Sequence, residues 1–326
     1  MYEKLKINIE AAVALLSIAV GLILAVFPPS FFSPEESRVA ALALVAITFW
    51  ATMVIPEHIT ALLLFFFAMI FSLSPANVVF SGFESTALWL IFGGLVIGVG
   101  ITGTGLGKRI ADKLVVHIDG SYLRIISGVV IAGVLFSFLM PSSMGRVIFL
   151  IPVTLAMANH LGFVEGSNGR TGMVLAATLG TVIPAYAILP SNVVNMVLVG
   201  MAETQFHISP LYGEYLALHF PVLGLMKALV IVWLIVWLYP DRTDKAVKED
   251  TTETGPMSKN EAILSVVLVV LLSLWMTDFL HHISPAWVAM GGAVFLLLPG
   301  INIVSARQFN GSINYSSLFF VAGILG

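Results

Sequence analysis

One arginine in an apolar stretch raises the first chemical question. Arg146 ends the segment Met140-Pro141-Ser142-Ser143-Met144-Gly145-Arg146, with long apolar runs on either side. An arginine at mid-membrane depth costs about 2.5–3.5 kcal/mol on insertion scales, so it ordinarily faces a cavity and marks function. Its planar fork suits a carboxylate or another oxyanion bidentately. Arg146 either binds an anion, or supplies a fixed charge where a cation would otherwise sit, or caps a helix end near the headgroups. Ser142 and Ser143 can donate to carboxylate or sulfate oxygens, or can cap the helix that begins near Gly145. That helix would aim its partly positive N-terminus at the same place. Ser142, Ser143, Gly145 and Arg146 are therefore one group of candidate anion-binding residues.

A second group follows at Gly180, Thr181, Pro190, Ser191 and Asn192. A helix broken there would free carbonyls for sodium, with the Thr181 hydroxyl and the Asn192 amide oxygen as further hard ligands. The alternative is a kink that binds nothing. Ser191 and Asn192 extend the anion set, and Ser142, Gly180, Thr181, Pro190 and Asn192 form the candidate sodium set. Lys227 lies well inside an apolar run and either pairs with substrate or snorkels. Glu57, His58, His281 and His282 fall at run ends, where interfacial solvation accounts for them, and Trp233, Trp237 and Tyr239 suit an aromatic belt.

Enzyme chemistry finds little to stand on. The sequence has no H-E-x-x-H, G-x-S-x-G or P-loop. No pair of membrane-embedded carboxylates suggests acid–base work, and Glu84 stands only at a helix entrance. The absence of cysteine excludes disulfides and thiolate metal sites. No cofactor or metal other than sodium is expected.

These residues need elements that hold them in lipid. Of 326 residues, 59% are hydrophobic and 10% charged, with net charge −3 and mean hydropathy +1.01. Soluble domains average about 25% charged residues, so most of this surface must face lipid. The balance gives no sign of nucleic-acid binding. Apolar runs occur at Ile9–Phe27, Val39–Ile55, Ile59–Leu73, Thr86–Thr104, Arg124–Leu139, Val147–His160, Gly172–Leu189, Val193–Met201, Tyr215–Tyr239, Ala262–Leu280 and Pro285–Leu298, with a last one from near Ile313. The runs Val147–His160 and Val193–Met201 are too short to cross alone. Residues 124–160 therefore suggest a re-entrant hairpin, and 172–201 one span broken near Pro190. With the N-terminus inside, Lys4, Lys6, Lys108, Arg109, Lys113, Arg124, Arg170, Arg242, Lys245, Lys248, Lys259 and Arg307 all fall inside, and only Arg38 falls outside. This obeys the positive-inside rule and places the N-terminus in the cytoplasm.

The organisation expected is an N-terminal helix and outer loop (1–38), a first repeat (39–239, with a span at 215–239), a cytoplasmic linker (240–260) and the start of a second repeat (261–326). Trp50-Ala51-Thr52 returns as Trp275-Met276-Thr277, and Phe80-Ser81-Gly82 as Phe309-Asn310-Gly311. Gly93-Gly94 has its counterpart in Ala322-Gly323. In the topology above the two copies run in opposite directions. Inverted repeats with discontinuous helices are the architecture of many secondary transporters.

Trp50-Ala51-Thr52-Met53-Val54-Ile55-Pro56 followed by Thr60-Ala61-Leu62-Leu63 is similar to a stretch of the divalent anion:sodium symporter family. Gly93-Gly94 through Gly105-Leu106-Gly107-Lys108-Arg109-Ile110, Ser142-Ser143-Met144, and Gly180-Thr181 with Pro190-Ser191-Asn192 also resemble its glycine-rich helix, hairpin tip and broken helix. The resemblance implies sodium-coupled carriage of dicarboxylates, citrate or sulfate by a homodimer whose transport domain moves against a scaffold. Two departures stand out. The tip reads Ser-Ser-Met where the family has Ser-Asn-Thr, with Arg146 close behind it. The second repeat stops within its third helix, so a chain ending at Gly326 is expected not to transport alone. An arsenite or sodium/proton carrier of the wider ion-transporter superfamily, or a non-transporting half-transporter, are the alternatives.

Overall fold

The structure is a computed structural model that describes residues 2–116, 121–140, 142–242 and 255–326. Pro141 of the expected hairpin tip, and residues 243–254 of the expected linker with Lys245 and Lys248, lie outside the described residues. Every regular element described is helical. Hydrocarbon offers no water to backbone N–H and C=O groups, and a helix satisfies them within its own segment.

The main helices are α1 (Tyr2–Val26), α2 (Pro34–Thr52), α3 (Glu57–Ile70), α4 (Thr86–Thr104), α5 (Leu106–Val116), α6 (Tyr122–Leu139), α7 (Ser143–His160), α8 (Asn168–Val182) and α9 (Val193–Phe206). They continue with α10 (Tyr212–Leu238), α11 (Lys259–Met276), α12 (Pro285–Leu297) and α13 (Tyr315–Leu325). Among the described residues, five helices are long and apolar enough to cross a membrane: Ile9–Val26 within α1, then α4, α6, α10 and α11. The chain is an all-α polytopic membrane protein.

Three departures from the sequence reading have a local cause. The run from Val147 is the apolar part of an 18-residue helix that starts at Ser143. Its polar first turn, with Ser142 as cap, hid those residues from a search for apolarity. The broken helix departs from α-geometry earlier than Pro190: α8 ends at Val182, and the turns Pro184–Ala187 and Leu189–Ser191 precede α9. Pro184 has no N–H for the carbonyl four residues back and its ring crowds that carbonyl, so the helix stops just before it. In α10 residues Phe220–Met226 form a π-helical segment. Pro221 again removes a donor, and the turn widens around the gap.

The described chain forms two compact units. One holds Met1–Leu88, Glu203–Phe206 and Asn314–Gly326, and the other holds Trp89–Ala202 and His207–Ile313. In the first, the Ser33 and Glu36 capping box starts α2, and the Trp50 indole N–H donates to the Glu57 carbonyl at the head of α3 (3.1 Å). A Cβ on Gly323 would lie 2.9 Å from Ala61 Cβ, so α13 and α3 meet closely there.

The second unit repeats that corner. The Trp275 indole donates to the Pro285 carbonyl at the head of α12 (3.1 Å), and a Cβ on Gly93 would lie 2.8 Å from the Ala289 backbone. The basic amphipathic helix α5 is tied to α11 by Arg109, whose Nε donates to Glu261 Oε1 (2.8 Å) and whose Nη1 donates to the Gly255 carbonyl (2.8 Å). The hydrogen bond to Glu261 raises the Arg109 guanidinium above its ordinary value. The core of this unit is the packing of α6 and α7 on α8. It depends on Gly133 and Gly180: a Cβ on Gly180 would lie 2.9 Å from Val130 Cα, and one on Gly133 would lie 2.7 Å from the Thr181 hydroxyl.

Candidate functional site

The residues that join α6 to α7 and those that interrupt α8 and α9 meet around one side chain. Arg146, in the first turns of α7, is fully buried. Its Nη1 donates to the Met140 carbonyl, at a close approach, and to the Ser191 carbonyl at 3.0 Å. Its Nη2 donates to the Ser143 hydroxyl at 3.0 Å and to the Thr181 carbonyl at 3.4 Å. Met140 is the C-cap residue of α6, and Thr181 lies in the last turn of α8. The guanidinium therefore sits on carbonyls that two helix C-termini leave without intrahelical donors, where a cation is favoured. No acidic side chain is among these partners. Of its five donors, only Nε–H has none.

Two helices begin at this place, and each starts under a residue of the predicted site. The Ser142 hydroxyl accepts from the Gly145 N–H at 3.2 Å and caps α7. The Asn192 Oδ1 accepts from the Asn195 N–H at 3.0 Å, one helical turn into α9. Such caps are the usual means of satisfying the first N–H groups of a helix. Capping engages one lone pair of the acceptor oxygen of each side chain. The Asn192 Nδ2 is left buried without a partner, as are the Thr181 and Ser191 hydroxyls and Arg146 Nε.

The sequence-derived residues thus divide clearly. Arg146, Ser143, Thr181 and Ser191 are joined by direct bonds, while Ser142, Gly145 and Asn192 start the two flanking helices. Gly180 lets α8 approach α6, and Pro190 is buried within the turn Leu189–Ser191. Of the oxygens expected to hold sodium, Ser142 Oγ and Asn192 Oδ1 each accept one protein hydrogen bond, the Thr181 hydroxyl has no partner, and the Thr181 carbonyl accepts from Arg146. The Thr181 carbonyl also accepts from the Ser137 hydroxyl at 3.2 Å. Lys227 does not join this cluster, and its ammonium lies 5.9 Å from the centre of the Tyr186 ring. His58 bonds Ser316, and His281 meets the Leu274 carbonyl at 2.9 Å.

Two contributors escaped the sequence reading. Ser137 looked like a lone hydroxyl in an apolar helix. Asn195, 3% exposed, looked like one polar residue in the run after the break. Its spacing of one turn from Asn192, on an otherwise apolar face, was the available signal.

What the arrangement offers chemically is a positive charge with more unused donors than acceptors. Two helix N-termini face the same cluster as the two C-termini that hold the guanidinium. It is suited to an acceptor-only ligand, such as an ionised carboxylate or an oxyanion.

Comparison with known proteins bears on the family. The family model for the sodium:sulfate symporter transmembrane region matches residues 8–323. The chain is 26% identical over 302 residues to dicarboxylate transporter 2, chloroplastic, of Spinacia oleracea, covering 88% of this chain and 53% of that protein. It is 24% identical over 229 residues to the L-tartrate/succinate antiporter of Escherichia coli (strain K12), covering 67% and 47%. A protein of Cupriavidus necator described only as a membrane protein is 26% identical over 321 residues, covering 90% and 61%. The chain thus spans about half to three-fifths of the length of these curated relatives. The family carries the name of a transporter, as do two of the three relatives, and none bears that of an enzyme. By the extent of the family match, this chain belongs to the sodium:sulfate symporter transmembrane family.

Proposed function

We propose that the protein formed by this chain is a secondary transporter of small dianions, dicarboxylates first, and that Arg146 provides a permanent charge beside the anion. The observation that carries this is the imbalance at the site: Arg146 Nε, Asn192 Nδ2 and the Thr181 and Ser191 hydroxyls are buried without partners. Buried polar groups ordinarily have partners, and an anion with several lone pairs supplies them. Relatives named for dicarboxylate and for tartrate and succinate support that ligand class.

The fixed charge bears on coupling. An uncompensated guanidinium is costly to move through hydrocarbon, and an anion seated beside it offsets part of that cost. Exchange of one anion for another is the mode favoured by this geometry, and a relative named as an antiporter is in keeping with it. Sodium coupling is the second reading. It is supported by the family's description and by the Thr181 hydroxyl, which has no partner.

An elevator-type motion suits the same bonds, because Arg146 ties the α6–α7 hairpin to the broken helix as one body. The hairpin would be re-entrant, the N-terminus cytoplasmic and the whole protein a homodimer. The two Trp corners, each donating to the head of the next helix, support an inverted repeat whose first copy is 39–239 and whose second begins at 261.

The test is uptake of radiolabelled succinate by vesicles that carry the full-length protein and are preloaded with unlabelled succinate. Saturable uptake that malate competes for and acetate does not is the expected result. Equal competition by acetate, or no uptake, would reject the dianion reading.

A further inference from the structure

The break between α8 and α9 is not a loose loop. Residues 184–191 form two consecutive tight turns, closed by the Ile188 N–H on the Ala185 carbonyl (3.1 Å) and the Ser191 N–H on the Ile188 carbonyl (3.0 Å). Ala185, Ala187, Ile188 and Leu189 are at most 1% exposed. Such a segment has few intrinsic reasons to hold one shape, since three-residue turns have poor hydrogen-bond geometry and rarely run on.

Asn195 supplies the reason from the first turn of α9. Its Nδ2 donates to the Ala185 carbonyl at 3.1 Å and to the Ile188 carbonyl at 2.9 Å. These are the two carbonyls that close the turns. Its backbone N–H meanwhile donates to Asn192 Oδ1, which decides the rotation of that amide and leaves Nδ2 as its free end. The second turn ends at Ser191, whose carbonyl holds Arg146.

We propose that Asn195 is a positioning residue of the anion site. By clamping both turns it sets where the Ser191 carbonyl meets the guanidinium and where the Asn192 amide nitrogen points. It touches no ligand itself. This inference rests on the reading of the site as an anion site.

Full-length Asn195→Ala and Asn195→Ser, with Asn192→Ala as a reference, would be compared for succinate uptake and for thermal unfolding with and without succinate. Asn195→Ala removes both side-chain bonds, and about a tenfold rise in KM is expected, with loss of protection by succinate. Asn195→Ser keeps a single short donor and should fall between Ala and wild type. If Asn195→Ala does not fold, the serine variant decides. A lower unfolding temperature with an unchanged KM and full protection would make Asn195 merely structural and overturn the proposal. If Asn192→Ala itself keeps the wild-type KM, the anion reading of the site fails. If Asn192→Ala raises KM while neither Asn195 variant does, only the positioning role fails.

Discussion

At the hairpin tip a helix starts under Ser142 and, one turn later, turns a cation back toward its own cap. At the break a helix starts under Asn192 and, one turn later, turns an amide back toward its own approach. Both regions spend a side-chain acceptor on a helix N-terminus. They differ in what they leave over. The tip brings charge and donors in Arg146, and the break brings carbonyls in Thr181 and Ser191. Each region alone would bury an unsatisfied group in a low-dielectric setting, which is expensive. Together they satisfy one another, and each of the remaining groups can donate. The pairing explains why an arginine can be fully buried in a membrane protein with no acid bonded to it.

The largest way to break the comparison is Arg146→Met. It strips the Met140, Ser191 and Thr181 carbonyls of their shared donor, at a cost of about 3 kcal/mol or more. Transport should be lost and detergent stability should fall sharply. Arg146→Lys keeps the charge on one nitrogen and should lose less of both.

Next comes a wedge between the regions. Gly180→Val puts side-chain atoms against Val130, where only a hydrogen now fits. Overpacking of this kind costs about 1–3 kcal/mol, measurable as a lower unfolding temperature without a change in sodium dependence.

The caps sharpen the comparison further. Ser142→Ala and Asn192→Ala should each lose about 1 kcal/mol of stability. Only Asn192→Ala also removes an unpartnered donor, so it alone should weaken succinate protection against unfolding. The smallest effect is expected at Lys227. Replacing it by Met removes a contact with Tyr186 worth about 0.5–1 kcal/mol and should leave the KM for succinate unchanged.

Sequence reading located these regions because lipid makes apolar length so informative. Helix α4 (Thr86–Thr104) was legible to the residue, as Glu84-Ser85 and Gly105 bound its apolar run. The start of α7 was not, because Ser143, Gly145 and Arg146 are helical but not apolar. Arg146 could be singled out as exceptional from its surroundings alone. Its partners could not, since Met140, Thr181 and Ser191 contribute backbone carbonyls, which every residue carries. The direction of the Asn192 amide was equally hidden: it depends on a bond to Asn195 that only the folded turn creates. The expectation that Asn192 offers an oxygen to sodium came from residue type; in the folded turn that oxygen accepts from the Asn195 N–H, and the amide nitrogen has no partner.

The central claim is that the charge beside the anion belongs to the protein at this site. It is tested most directly by loading vesicles that carry the full-length protein with succinate and following entry of labelled succinate with sodium or choline outside. Rapid entry that requires internal succinate and is the same in both salts is the expected result. Entry into empty vesicles that is driven by a sodium gradient and vanishes in choline would contradict it.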